Sequence, residues 1–191
     1  MINIAIFVSG TGSNCENIIR HFSGNSNIRV ALVLSNRADA YAVVRAGKYG
    51  IPAEVMTKAE FNDGESLPAM MERYSIGFIV LAGFLLMIPP FLIERYPRRI
   101  VNIHPALLPK YGGKGMYGRH IHEAVRANNE TETGITIHYV SNVCDGGEII
   151  FQASTPVSPS DTPDEIAASV HRLEQLHFPR VVEETIKKSD L

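Results

Sequence analysis

No apolar run in this 191-residue sequence approaches the length of about 20 residues that a membrane-spanning helix needs. A chain that stays out of membranes is therefore expected. Basic residues are not in surplus: 18 Lys and Arg stand against 20 Asp and Glu, a net charge of −2 with neutral histidine. A protein held on nucleic acid by phosphate contacts usually shows a basic excess, so nucleic acid is not an expected partner. One local pocket for a small anion is still compatible with that balance. Cysteine is scarce. Cys15 and Cys144 are the two, neither in a CxxC pair, so no framework of bridges is available. Two reduced thiols in a cytoplasmic protein are expected. The N-terminus, MINIAIFVSGTGSN, has no basic segment ahead of its short apolar run, and it reads as a first strand rather than a signal peptide.

Several catalytic signatures are missing as well. There is no GxSxG of a serine hydrolase and no GxxxxGK[ST] phosphate loop, and "GGKG" at 112–115 does not qualify. The seven histidines fall in no zinc-ligand spacing. His120 and His122 lie two apart, which on a helix turns them to different sides. "HEAVR" at 122–126 begins like HExxH but ends in Arg126. No metal is expected. His21, His138 and His177 show no partner in the sequence and read as ordinary surface or core histidines. Cys144 directly precedes Asp145, whose charge raises a thiol pKa, so a cysteine nucleophile is disfavoured.

What is present is patterned. Hydrophobic residues make up 45% of the chain, enough for a substantial core. Continuous apolar runs at 2–8, 28–34, 77–82 and 99–103 predict strands buried on both faces, with a short strand at 53–56. Between them the spacing predicts helices from Asn14 to Phe22, Ala40 to Tyr49, Ser66 to Tyr74 and over 88–97. Ser13 and Glu16 have the spacing of a capping box for the first of these. A helix over Gly118–Asn128 precedes two strands, 133–140 and 148–155, which flank a Cys-Asp-Gly-Gly turn. These read as antiparallel additions, and a last helix covers Thr162 to Lys187. The alternation predicts one α/β domain over residues 1–191, with a doubly wound, mainly parallel sheet and an antiparallel C-terminal end.

Two stretches carry the chemistry. "SGTGSN" (9–14) joins the first strand to the first helix, where backbone amides and the helix dipole suit an anion. Gly10 and Gly12 let the backbone approach a ligand, and Ser13 and Asn14 add side-chain donors. A dinucleotide fingerprint would need a third glycine where Cys15 stands and an acidic residue after the second strand, which ends Leu34-Ser35-Asn36-Arg37. A phosphate monoester fits better; a turn that serves packing alone is the other reading. The second stretch is "NIHPALLPKYGG" (102–113), an apolar strand that ends in polar groups. Positions two apart in a strand point the same way, so Asn102 and His104 face one side. An amide beside an imidazole can stabilise and protonate a developing oxyanion. Asp145, in the downstream glycine turn, is the candidate carboxylate to orient the imidazole and favour its charged form; a turn-forming Asp145 beside a strand-capping His104 is the alternative.

Taken together, "IAIFVSGTGSN", "VLAGF", "VNIHPALLPKYGG", "ETGITIHYV" and "DGGEIIFQ" resemble the folate-dependent glycinamide ribonucleotide formyltransferases over almost the whole chain. That resemblance implies a seven-stranded, Rossmann-like α/β fold, with 10-formyltetrahydrofolate as donor and the amine of 5-phosphoribosylglycinamide as acceptor. It implies that Gly12, Ser13 and Asn14 hold the phosphate and Glu174 the ribose hydroxyls. The pterin then lies against Leu85, Leu86, Met87 and Ile88, with Asn102 and the 141–145 loop including Asp145. Asn102, His104 and Asp145 become the catalytic set, with His104 kept protonated by Asp145, and no metal or covalent enzyme intermediate is required. A monomer or homodimer in the cytoplasm is implied. Two departures concern the folate tail: Leu86 and the stretch "FNDGESLP" lack arginines common in the family, and Lys114 in the long "GGKGMYG" loop is a candidate replacement. The rival activities are hydrolysis of 10-formyltetrahydrofolate and noncatalytic phosphosugar binding. Formyl-folate hydrolases carry an extra N-terminal domain and transfer RNA formyltransferases a basic C-terminal one. Neither is expected in a chain of this length that opens on its first strand.

Overall fold

The computed structural model describes residues 1–189. Its strands are β1 (Ile2–Val8), β2 (Ile28–Ser35), β3 (Ala53–Val55), β4 (Ile76–Leu81), β5 (Ile100–His104), β6 (Glu132–Tyr139) and β7 (Ile149–Pro156). The helices are α1 (Ser13–Phe22), α2 (Tyr41–Lys48), α3 (Lys58–Asn62), α4 (Ser66–Arg73), α5 (Pro90–Arg95), α6 (Arg119–Ala127) and α7 (Pro163–Lys187). The strands form one seven-stranded sheet in the order β3-β2-β1-β4-β5-β6-β7. β3, β2, β1, β4 and β5 pair in parallel; β6 pairs antiparallel with β5, and β7 with β6.

The continuous apolar runs are explained by burial on both sheet faces. In β1, Ile4, Ile6 and Val8 enter one core cluster with residues of α1, α2, α6 and α7. The alternate residues Ala5 and Phe7 enter a second cluster with α3, α4 and α5. The edge strand β7 is half exposed and alternates accordingly. Because β1 sits between β2 and β4, the crossovers leave it in opposite directions, which opens a crevice at the carboxyl ends of β1 and β4.

Two local expectations are corrected. The residue before α1 is Gly12, in the left-handed region at φ 75°, and no side chain among the described residues caps this helix. Glu16 instead pairs with Arg45 and accepts a hydrogen bond from the Tyr49 hydroxyl at 3.0 Å. A true capping box forms at α3, a helix absent from the sequence reading, where Thr57 and Glu60 bond reciprocally. Five residues are too few for helical periodicity to show.

Candidate active site

Ser9 closes β1 and ties three strand ends together. Its hydroxyl donates to Asn36 Oδ1 at 2.6 Å and accepts the Leu85 N–H at 2.9 Å, while its own N–H donates to the Gly83 carbonyl at 3.0 Å. Beyond it, the glycine turn enters α1. A Cβ on Gly12 would lie 2.5 Å from the Ala42 Cβ, so this glycine is demanded by the packing of α2 as well as by its positive φ. Gly10, by contrast, has open space around it. Arg45 Nε holds the Thr11 carbonyl at 2.9 Å.

Asn14, in the first turn of α1, meets α7 from the far end of the chain. Its Nδ2 donates to Glu174 Oε2 at 2.9 Å, and Gln175 Nε2 donates to its Oδ1 at 2.8 Å. His171 Nδ1 lies 3.0 Å from the same Glu174 oxygen, and this hydrogen bond raises the His171 pKa. The structure thus brings together Gly12, Ser13, Asn14 and Glu174.

The second half of the site lies at the end of β5. Register settles its membership: Asn102 faces His138 across the β5–β6 ladder, and His104 faces Thr136. His138 Nδ1 donates to the Tyr139 carbonyl at 2.8 Å, a partner that can only accept. Its Nε2 is therefore an acceptor and takes a hydrogen from Asn102 Nδ2 at 3.1 Å. His104 is 4% exposed, and its Nε2 donates to the Tyr111 carbonyl at 2.7 Å. That leaves Nδ1 facing Asp145 Oδ2 at 3.6 Å, while Asp145 Oδ1 lies 3.7 Å from His138 Nε2. The Gly113 N–H holds Asp145 Oδ2 at 2.9 Å. Asp145 and Tyr111 are both non-glycine residues in the left-handed region, at φ 53° and 57°. Such strain clusters where surroundings over-determine the backbone.

Electrostatics at His104 run against a resting positive charge. Burial pushes the His104 pKa below its ordinary value, and neither Asp145 nor the Tyr111 carbonyl reverses that. Burial thus favours the neutral imidazole, and at 3.6 Å the Asp145 carboxylate stands beyond hydrogen-bond distance of Nδ1. Burial opposes the charge of Asp145 too, but the contacts around the carboxylate, the Gly113 N–H bond among them, hold it below the usual range. Burial and Asp145 both raise the Cys144 thiol, in line with its unsuitability as a nucleophile.

His138, read from sequence as an ordinary histidine, is instead the hydrogen-bond partner of Asn102, with Asp145 close by. The signal that finds it is cross-strand register, which is invisible until β6 is known to lie antiparallel to β5. Of the four loop residues 85–88, Leu85 and Met87 are exposed, whereas Leu86 and Ile88 pack into the second core cluster. Val143, beside the Asp145 turn, is also exposed. Among the described residues, no three His, Cys, Asp or Glu side chains are grouped as metal ligands would be.

The sequence pattern of the formyl transferase family matches residues 2–182. The chain belongs to that family. As a formyl transferase it is an enzyme, and its fold agrees with solved relatives. The phosphoribosylglycinamide formyltransferase of Bacillus halodurans superposes with a TM-score of 0.87 at 31% identity, covering 97% of this chain and 96% of that one. The Coxiella burnetii enzyme of the same name gives 0.85 at 36%, covering 95% and 85%. In sequence, the Haemophilus influenzae phosphoribosylglycinamide formyltransferase is 36% identical over 95% of this chain and 86% of its own length. The chloroplastic Arabidopsis thaliana protein is 41% identical over 96% of this chain, which spans 66% of that longer protein.

Proposed function

We propose that the chain transfers the formyl group of 10-formyltetrahydrofolate to the amine of 5-phosphoribosylglycinamide. The observation that carries this reading is the convergence of an amide, two imidazoles and a carboxylate at the strand-end crevice. In this reading the N-terminal half supplies the phosphate cradle, Gly12, Ser13 and Asn14, with Glu174 on the ribose hydroxyls. The C-terminal half supplies the formyl-transfer centre, and the exposed Leu85, Met87 and Val143 offer apolar contact to the pterin.

The amine attacks the formyl carbon and an oxyanion develops. Asn102 has two amide hydrogens. One is held by His138; the other has no partner among the described residues and is offered to the oxyanion. The attacking nitrogen becomes acidic and must lose a proton, while N10 of the folate must gain one to leave. His104 with Asp145 is placed to carry that proton. A proton taken up on Nδ1 is stabilised by the charge of Asp145, whose Oδ2 lies 3.6 Å away, while Nε2–H stays on the Tyr111 carbonyl. The pair therefore takes up and returns one proton as a unit.

The test is to incubate the protein with formyl-folate, with and without phosphoribosylglycinamide, and follow folate absorbance. Turnover that needs the amine is expected. Turnover indifferent to it would mean hydrolysis, and none at all would leave only binding.

A further inference from the structure

His104 does not reach the Tyr111 carbonyl by chance. Residues 105–110 leave β5 and curl back so that the seventh residue after His104 accepts its Nε2–H at 2.7 Å. The loop is pinned at two places. The first is Thr136, fully buried on β6 directly opposite His104 in the ladder. Its hydroxyl donates to the Ala106 carbonyl at 2.7 Å and accepts the Leu108 N–H at 2.9 Å. Gln152, on β7 opposite Thr136, donates one Nε2 hydrogen to the same hydroxyl at 2.9 Å and the other to the Leu108 carbonyl at 3.0 Å. A hydroxyl has one hydrogen to give and two lone pairs, and all three are used. The second pin is at the far end, where the Tyr111 hydroxyl donates to Glu130 Oε1 at 2.9 Å and accepts from Asn128 Nδ2 at 3.0 Å.

We propose that Thr136, with Gln152, is a positioning residue for formyl transfer: it shapes the 105–110 loop so that the Tyr111 carbonyl holds His104 with Nε2–H bound and Nδ1 turned to Asp145. This rests on the function proposed above. Neither residue touches the substrates; both act through His104. Substituting Thr136→Val keeps the shape of the side chain and removes the hydroxyl, leaving the Ala106 carbonyl, the Leu108 N–H and one Gln152 hydrogen without their partner.

The experiment compares Thr136→Val, Thr136→Ser and Gln152→Leu with the wild-type protein by steady-state kinetics and by long-range proton–nitrogen NMR of labelled histidine. Since a misplacement of about 1 Å can cost roughly 100-fold, Thr136→Val is expected to lower kcat about 10- to 100-fold, with both KM values within about twofold. Thr136→Ser restores the rate. Gln152→Leu falls between, and it decides the matter if Thr136→Val does not fold. In the spectra, wild-type His104 carries its proton on Nε2, and Thr136→Val loses that single form. Wild-type kcat in Thr136→Val or in a folded Gln152→Leu, or equal loss in Thr136→Ser and Thr136→Val, overturns the proposal. If the wild-type protein itself shows no amine-dependent turnover, the function is wrong. The NMR comparison still decides whether Thr136 sets His104, and an unchanged His104 signal rejects it.

Discussion

Asn102 has one amide hydrogen on His138 and one without a partner among the described residues, and that division makes it the clearest target at the scale of single residues. Removing one oxyanion donor typically costs about 100- to 1,000-fold in rate, so Asn102→Ala should lose that much in kcat while folding normally. A rate within tenfold of wild type, measured by the same absorbance assay, would remove Asn102 from the reaction. Asp145→Asn tests the other side. Burial already lowers the His104 pKa and Asp145 alone among the nearby side chains raises it. Without the charge, His104 should titrate at lower pH still, and turnover should collapse. Histidine NMR against pH reads the first effect, and an upward shift would contradict the assigned electrostatics. Much at this scale was legible. Asn102, His104 and Asp145 stood out as polar groups where a buried strand and a glycine turn should end. His138 did not, since nothing local separates it from a core histidine.

At the scale of elements, α7 shows how a defect becomes a joint. Pro179 lies inside this 25-residue helix and has no N–H to give the Gln175 carbonyl one turn back. Asn17 of α1 fills the gap, its Nδ2 donating to that carbonyl at 2.8 Å. The bond sits next to Glu174 and Gln175, which grip Asn14. Asn17→Leu should therefore leave a half-buried carbonyl without this donor, costing about 1 kcal/mol of stability. It should also raise KM for phosphoribosylglycinamide more than it lowers kcat. Urea denaturation and steady-state kinetics check the two halves, and an unchanged KM would show that the joint does not serve the substrate site. Long elements were predictable because their period repeats many times. The start of α1 is legible to within a residue but its cap is not: Ser13 and Glu16 have capping-box spacing, yet Arg45, from a different helix, claims Glu16.

At the scale of the whole molecule, buried histidines tie stability to acidity. Burial lowers the pKa of both His104 and His122 from 6.5, and the His122 Nδ1 is buried without a hydrogen-bond partner among the described residues. The unfolded chain then binds protons that the folded chain refuses, so this contribution is present above about pH 6.5 and is lost as pH falls through the lowered folded values. Asp145, also lowered, adds a further loss at more acid pH, below its ordinary 3.8. Thermal melts should drop between about pH 7 and about pH 5, and less so in His122→Leu. A flat melting temperature over that range in the wild-type protein would reject this account.

The amino-acid pattern alone set the order of the elements apart from α3, the mainly parallel sheet and the two loops that hold polar groups at strand ends. Burial on both faces writes itself as continuous apolar runs, and a ligand edge as their abrupt end. It also determined the family, through motifs spread over nearly the whole chain. Only the tertiary structure decided which distant groups meet. Asn14 finds Glu174 across 160 residues because α1 packs on α7. His138 and Thr136 stand opposite Asn102 and His104 because β6 pairs antiparallel to β5 in one register. The downward push on the His104 pKa arises there too, since burial is a property of the packed molecule and outweighs the carboxylate beside it.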